Sequence, residues 1–140
     1  MRDRYDALLF DLYGTLVDES GEALPGAAEA LESVRNGPYA IVTSCPRRFA
    51  LRLLESAGLR EPPVMVAAED VSRGKPAPEG YLRAAERLEV EPENCLVLED
   101  SAHGVAAARA AGMDVVAVDR DRSLRDLSFK IEEDGTIAVR

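Results

Sequence analysis

The chain lacks any apolar run long enough to cross a membrane or to serve as the core of an export signal. Its N-terminal apolar stretch, Ala7 to Phe10, lies between Asp6 and Asp11, whereas a span needs about 18 apolar residues. It also lacks basic charge. With 17 Lys and Arg against 26 Asp and Glu, a net charge of −9 and a pI near 4.7, it offers no basic face, which argues against nucleic acid and anionic membranes as partners. Thiols are scarce: Cys45 and Cys95 stand far apart, without metal-ligand spacing and beside predicted strand ends. Reduced thiols in a cytoplasmic protein are therefore expected rather than a disulfide. The one histidine, His103, reads as a partly exposed residue in the first turn of a helix. There is no repeat and no low-complexity segment. At 140 residues the chain is expected to form one domain, residues 1–140.

What the chain does have is an alternation of apolar strands with amphipathic helices, the pattern of a parallel sheet covered on both faces. Strands are predicted at Ala7–Phe10, Tyr39–Val42, Val64–Ala67, Cys95–Leu98 and Val115–Val118. Ala27, Ala30, Leu31 and Val34 have helical spacing, entered through Pro25 and closed by Asn36-Gly37-Pro38. A second helix begins at Pro46, presents Phe49, Leu53 and Ala57, and stops at Gly58. A third begins near Pro78 and buries Tyr81, Leu82, Ala85 and Leu88; the fourth spans Ala102–Ala111, with Ser101 as N-cap and Gly112 just past its end. Ser128–Ile131 and Thr136–Val139 flank Asp134-Gly135, which predicts a terminal hairpin. The expected architecture is a doubly wound, three-layer α/β sandwich with a central parallel sheet.

Leu8-Leu9-Phe10-Asp11-Leu12-Tyr13-Gly14-Thr15-Leu16-Val17 is an apolar strand ending in a carboxylate, followed by a Gly-Thr turn. An Asp at the carboxyl end of a buried parallel strand sits where open α/β sheets bind ligands. Three further segments have comparable character: Ala40-Ile41-Val42-Thr43-Ser44, Arg73-Gly74-Lys75-Pro76-Ala77-Pro78, and Cys95-Leu96-Val97-Leu98-Glu99-Asp100-Ser101. In order and type these four resemble the signatures of the haloacid dehalogenase (HAD) superfamily of aspartate-nucleophile hydrolases. The resemblance covers residues 7 to 118 and is closest to the β-phosphoglucomutase-like and sugar-phosphatase branch. It implies a HAD-like Rossmannoid core. In that branch a helical cap domain is inserted between the first two motifs, where this chain has only Asp18-Glu19-Ser20-Gly21-Glu22 and one helix. A capless core is expected, and a natural capless protein and an engineered or ancestral core would both look like this.

The resemblance implies that Asp11 is a nucleophile forming an aspartyl-phosphate. Thr43 and the Ser44 backbone, with Gly14, would hold anionic oxygens, and Lys75 would balance Asp11 and the phosphate. Glu99 and Asp100 are adjacent carboxylates that repel unless a cation joins them. Oxygen ligands of this kind suit Mg²⁺, and the resemblance implies a metal set of Asp11, the Tyr13 carbonyl and Asp100 with Glu99 close by. Tyr13 is the departure: the family's phosphatases carry there a second Asp as general acid and base, which a phenol with pKa near 10 replaces poorly. Tyr13 is accordingly counted among the catalytic residues as a substitution, and slow Mg²⁺-dependent hydrolysis of a small phosphorylated molecule is expected. Two alternatives stay open. Asp-Xaa-Tyr-Gly-Thr is also the pattern of 2-haloacid dehalogenases, and a scaffold without turnover would keep the fold alone. Without a cap, a second copy of the chain or a bulky substrate could cover the open site.

Overall fold

Strands that are apolar at every position need cover on both faces, and the helices that follow them supply it. The structure, a computed structural model, describes residues 2–140. In chain order its elements are β1 (Arg4–Tyr5), β2 (Ala7–Phe10), α1 (Ala27–Ser33), β3 (Tyr39–Val42), α2 (Arg47–Ser56), β4 (Val64–Val66), α3 (Glu79–Leu88), β5 (Cys95–Glu99), α4 (Ala102–Ala110), β6 (Asp114–Ala117), β7 (Phe129–Ile131) and β8 (Ile137–Val139). The central sheet runs β4-β3-β2-β5-β6 with every neighbouring pair parallel. Successive side chains on a strand point to opposite faces, and the core divides accordingly. Leu8, Phe10, Ile41, Leu96 and Leu98 pack with Leu31 of α1 and Ala50 and Leu54 of α2. Ala7, Leu9, Ala40, Val42 and Val97 pack with Tyr81 and Ala84 of α3 and Ala107 and Ala108 of α4.

The terminal hairpin forms as expected from β7 and β8 and is extended by β1 into a small antiparallel sheet of order β1-β8-β7. Two residues, Arg4 and Tyr5, are too few to carry a readable pattern. Phe129 of β7 ties this sheet to the core by an edge-to-face contact with Phe10, ring centroids 6.3 Å apart. Ser101 caps α4 as expected, its Oγ accepting from Gly104 N at 3.0 Å. Both thiols are free. No separate cap domain stands among the described residues, and no helix is long and apolar enough to cross a membrane.

Two helix faces differ from expectation. On α2, Phe49 is exposed and the buried residues are Ala50 and Leu54. The apolar stripe is wider than the face that reaches the sheet, so periodicity alone could not choose the frame. On α3, Leu82 is exposed whereas Tyr81, Ala84 and Ala85 are buried. Small residues at 84 and 85 let that side of the helix approach the sheet, and Leu82 is left at the margin.

Tyr39 begins β3 fully inside the core, edge-on to Phe10 at 6.3 Å, yet its buried hydroxyl has no partner among the described residues. A buried, unpaired polar group costs stability. Tyr39→Phe keeps the ring and removes the orphaned oxygen, so it is expected to stabilise the fold by about 1 kcal/mol in urea unfolding. A destabilised variant would show that the hydroxyl is satisfied after all.

Candidate active site

Three adjacent strands deliver the polar side chains. Asp11 follows β2 directly and donates its N–H to Leu98 O on β5 at 3.0 Å. Glu99 ends β5 and Asp100 follows it. Thr43 follows β3, its N–H bound to Val66 O at 2.9 Å. In a parallel sheet these ends share one edge, so residues far apart in sequence become neighbours. Lys75, from the loop between β4 and α3, reaches across that edge. Its Nζ lies 2.7 Å from Asp11 Oδ1, 2.9 Å from Glu99 Oε2 and 3.0 Å from Val42 O. All three donor positions of the ammonium are used.

Glu99 is fully buried and its two oxygens accept from five donors. Lys75 Nζ and the Tyr81 hydroxyl, at 2.6 Å, share Oε2; the N–H groups of Asp100 and Ser101 and the Ser101 hydroxyl share Oε1. Glu99 thereby links the lysine to the turn that carries Asp100. Gly104 makes room for it, since a Cβ there would overlap the Glu99 carboxylate. Asp11 Oδ2 and Asp100 Oδ1 are less encumbered, meeting only the Thr15 hydroxyl, at 3.4 and 3.2 Å. Sequence reasoning misses Thr15, Tyr81 and Gly104 as members of the site. Nothing in their local pattern separates them from core and turn residues.

Burial dominates the electrostatics of Asp11 and raises its carboxyl well above the usual range, with Lys75 pulling the other way. Burial by itself would lower the Lys75 ammonium, but Asp11 and Glu99 outweigh it and hold the group above its ordinary value. For Glu99 burial likewise acts upward, and Lys75 together with the Tyr81 hydrogen bond reverses it, leaving that carboxyl lowered. Three carboxylates thus cluster with one ammonium among them, which contacts Asp11 and Glu99. Each offers an oxygen within 4.8 Å of the others. An all-oxygen set with uncompensated negative charge fits a hard divalent cation such as Mg²⁺. Asp11 and Asp100 have oxygens free for it, and Glu99 has its capacity taken by protein donors.

Tyr13 is where the structure corrects the sequence reading. The pattern predicts a site weakened by an Asp-to-Tyr exchange; instead the acidic cluster is complete as Asp11, Glu99 and Asp100, and Tyr13 does not belong to it. The Tyr13 ring is 47% exposed, because the chain turns after Leu12 and leaves that side chain outside. The slow-enzyme, dehalogenase and scaffold readings all draw on this residue, and they fall with it. The Tyr13 carbonyl is taken by no backbone N–H among the described residues, and the N–H groups of Leu12, Tyr13 and Ser44 likewise find no acceptor there. Gly14 donates its N–H to Val17 O at 2.8 Å. What it contributes is clearance, since a Cβ would overlap the Asp100 carboxylate. The Thr43 hydroxyl accepts from Cys45 N at 3.1 Å, leaving its own proton free to donate. His103 is exposed, as expected. Arg47 is committed to Asp70.

The sequence model of the haloacid dehalogenase-like hydrolases matches residues 19–112. Hexitol phosphatase A of Escherichia coli K12 is 45% identical over 98 residues, 69% of this chain and 45% of that protein. Validoxylamine A 7′-phosphate phosphatase of Streptomyces hygroscopicus is 40% identical over 110 residues, 76% of this chain and 52% of that protein. Among solved structures, a HAD family hydrolase from Deinococcus radiodurans R1 with bound phosphate and sodium superposes with a TM-score of 0.62 at 40% identity. The match covers 67% of this chain and 43% of that one. The chain therefore spans about half the length of the curated relatives it matches.

The raised carboxyl of Asp11 has a consequence for stability. With its folded-state pKa above the unfolded value, the group holds its proton more tightly in the fold. Its contribution is favourable only at acid pH and is lost as pH rises through the folded value, so ionised Asp11 is a cost at neutral pH. Asp11→Asn is expected to raise the melting midpoint in metal-free buffer by a few degrees, on the order of 1 kcal/mol. The gain should grow between pH 4 and pH 8. A midpoint lowered at pH 8 would show that the Lys75 pairing outweighs the burial cost.

Proposed function

The chain belongs to the haloacid dehalogenase-like hydrolase family, and from that premise and the site geometry we propose that it hydrolyses small phosphomonoesters, with carbohydrate phosphates as first candidates. The observation that carries this reading is the buried Asp11, fixed through Oδ1 by Lys75 at 2.7 Å with Oδ2 met only by the Thr15 hydroxyl, at 3.4 Å. A carboxylate so held is oriented for in-line attack. The names of two relatives, a hexitol phosphatase and a validoxylamine phosphate phosphatase, support this class of substrate.

In this mechanism the ester's phosphate sits above the ends of β2 and β3. The Thr43 hydroxyl and the free N–H groups of Leu12, Tyr13 and Ser44 meet its oxygens. Asp11 Oδ2 attacks phosphorus, the P–O ester bond breaks, and the departing oxygen takes a proton from the solvent-open side. Water then attacks the phosphoryl group on Asp11, which releases inorganic phosphate and restores the carboxylate. Lys75 keeps Asp11 aimed throughout, its charge opposing the burial that disfavours the carboxylate, while Glu99 holds Lys75 and the Asp100 turn in register. Asp11, Asp100 and the Tyr13 carbonyl would hold Mg²⁺ with Glu99 alongside, and the bound ion supplies compensation for the charge on the phosphoryl oxygens. Two unpaired thiols support a cytoplasmic setting for the activity.

The test is phosphate release from a panel of carbohydrate phosphates with Mg²⁺ and with chelator. Asp11→Asn should lose on the order of 10³ or more in kcat, and Lys75→Met about 10² to 10³. Millimolar Mg²⁺ should raise the melting midpoint of the unaltered protein but not of Asp100→Ala. Turnover that survives in Asp11→Asn would remove the nucleophile, and equal Mg²⁺ shifts in both proteins would remove the metal site.

A further inference from the structure

A cavity of about 510 Å³ opens beside the carboxylate cluster, walled by Thr15 and Asp100 on one side and by Leu24, Arg120, Ser123 and Arg125 on the other. That volume suits a small organic molecule. Sheet order places it: Thr43 follows β3, Asp11 follows β2, Asp100 follows β5, and the segment from Val118 onward follows β6. The phosphate cradle therefore lies on the β3 side of Asp11 and this cavity on the β6 side. We propose that the cavity receives the organic part of the substrate and selects phosphomonoesters carrying a second anionic group, a carboxylate or a second phosphate, bound by Arg120 and Arg125. The proposal rests on the phosphatase reading above and narrows its substrate class.

Two observations converge on it. In a chain with a net charge of −9, carboxylate partners for arginine are plentiful, yet among the described residues neither Arg120 nor Arg125 has one within ion-pair distance. Asp119, also at the wall, has Oδ1 committed to the N–H groups of Asp121 and Arg122 at 2.8 and 2.9 Å. Asp126 has Oδ2 on the Ser123 N–H at 3.0 Å. Second, the wall is built rather than loose. Gly26, at φ +85°, lies so close to the Arg125 backbone that a Cβ would overlap Arg125 N, which fixes the 120–125 segment against the Pro25 turn.

The spacing sets the size of the ligand. From β2 to β6 is two strand intervals, about 10 Å, so the ligand has to extend well beyond the transferred phosphate to reach this wall. A two-carbon acid is too short, whereas a phosphorylated sugar acid or a sugar bisphosphate reaches.

The experiment compares kcat/KM for fructose 1,6-bisphosphate and 6-phosphogluconate with that for fructose 6-phosphate, whose organic part is neutral. At least one doubly anionic ester is expected to exceed the neutral one by tenfold or more, and the better of the two identifies the second group. Arg120→Gln and Arg125→Gln should each reduce that preference about tenfold, through KM, near the low end of a charge-assisted hydrogen bond. Calorimetric titration of the same esters into Asp11→Asn should show the same order of affinity without turnover. Equal handling of neutral and doubly anionic esters, or a preference unchanged within twofold in both arginine variants, overturns the proposal. If the unaltered protein releases no phosphate while binding stays selective, the phosphatase reading fails and the cavity assignment stands. Turnover without selectivity does the reverse: the phosphatase reading stands and the cavity assignment fails.

Discussion

One ammonium holds the site together. Lys75 sits between Asp11 and Glu99 with 10% of its side chain exposed and all three protons committed, and the neighbouring geometry follows from that placement. Through Asp11 it orients the carboxylate at the end of β2; through Glu99 it reaches the turn that carries Asp100. Burying two carboxylates around one cation is costly, and breaking a buried pair typically costs about 3–5 kcal/mol. The surrounding residues limit the cost with fixed donors. Tyr81, the Ser101 hydroxyl and the first N–H groups before α4 all direct hydrogen bonds to Glu99, while Gly104 concedes the space it needs.

The division of labour among the acidic residues follows from those donors. Glu99, saturated and fully buried, acts on the site by holding other groups. Asp11 and Asp100 keep oxygen valences open, and that is where a cation and a phosphoryl group can be accommodated. The destabilising burial of Asp11 is the kind of strain that active sites retain, since a carboxylate left short of partners is more reactive than a satisfied one. With no separate cap domain among the described residues, the edge of the sheet leaves the cavity between the Pro25 turn and the 120–125 segment open.

Much of the scaffold could be read from residue pattern. β2 and β3 fall on their predicted residues, β4, β5 and β6 within one residue at either end, and the caps at Ser101 and Gly112 and the Asp-Gly hairpin are where turn chemistry places them. The exceptions have local causes. The stripe on α2 admits two frames, Leu82 competes with smaller neighbours for the sheet, and β1 is only two residues long. Tyr13 differs from these in kind. Its identity suggests chemistry, but its ring stands in solvent, and a residue two positions from a nucleophile need not point at it when the chain turns in between.

The sequence by itself determined the layered α/β architecture and singled out Asp11, Thr43, Glu99 and Asp100 as candidates, because apolar runs and strand-end polar residues are local signals that survive without coordinates. Lys75 was singled out by the resemblance of its Gly-Lys-Pro loop. Only the tertiary structure decided which of these side chains are saturated and which are free, and it alone brought Tyr81, Thr15 and Gly104 to them and set Arg120, Ser123 and Arg125 around a cavity beside Asp100. The physical reason is the parallel sheet. It gathers at one edge the ends of strands separated by dozens of residues, so the distances that define the site belong to strand order and helix packing, which no stretch of sequence contains.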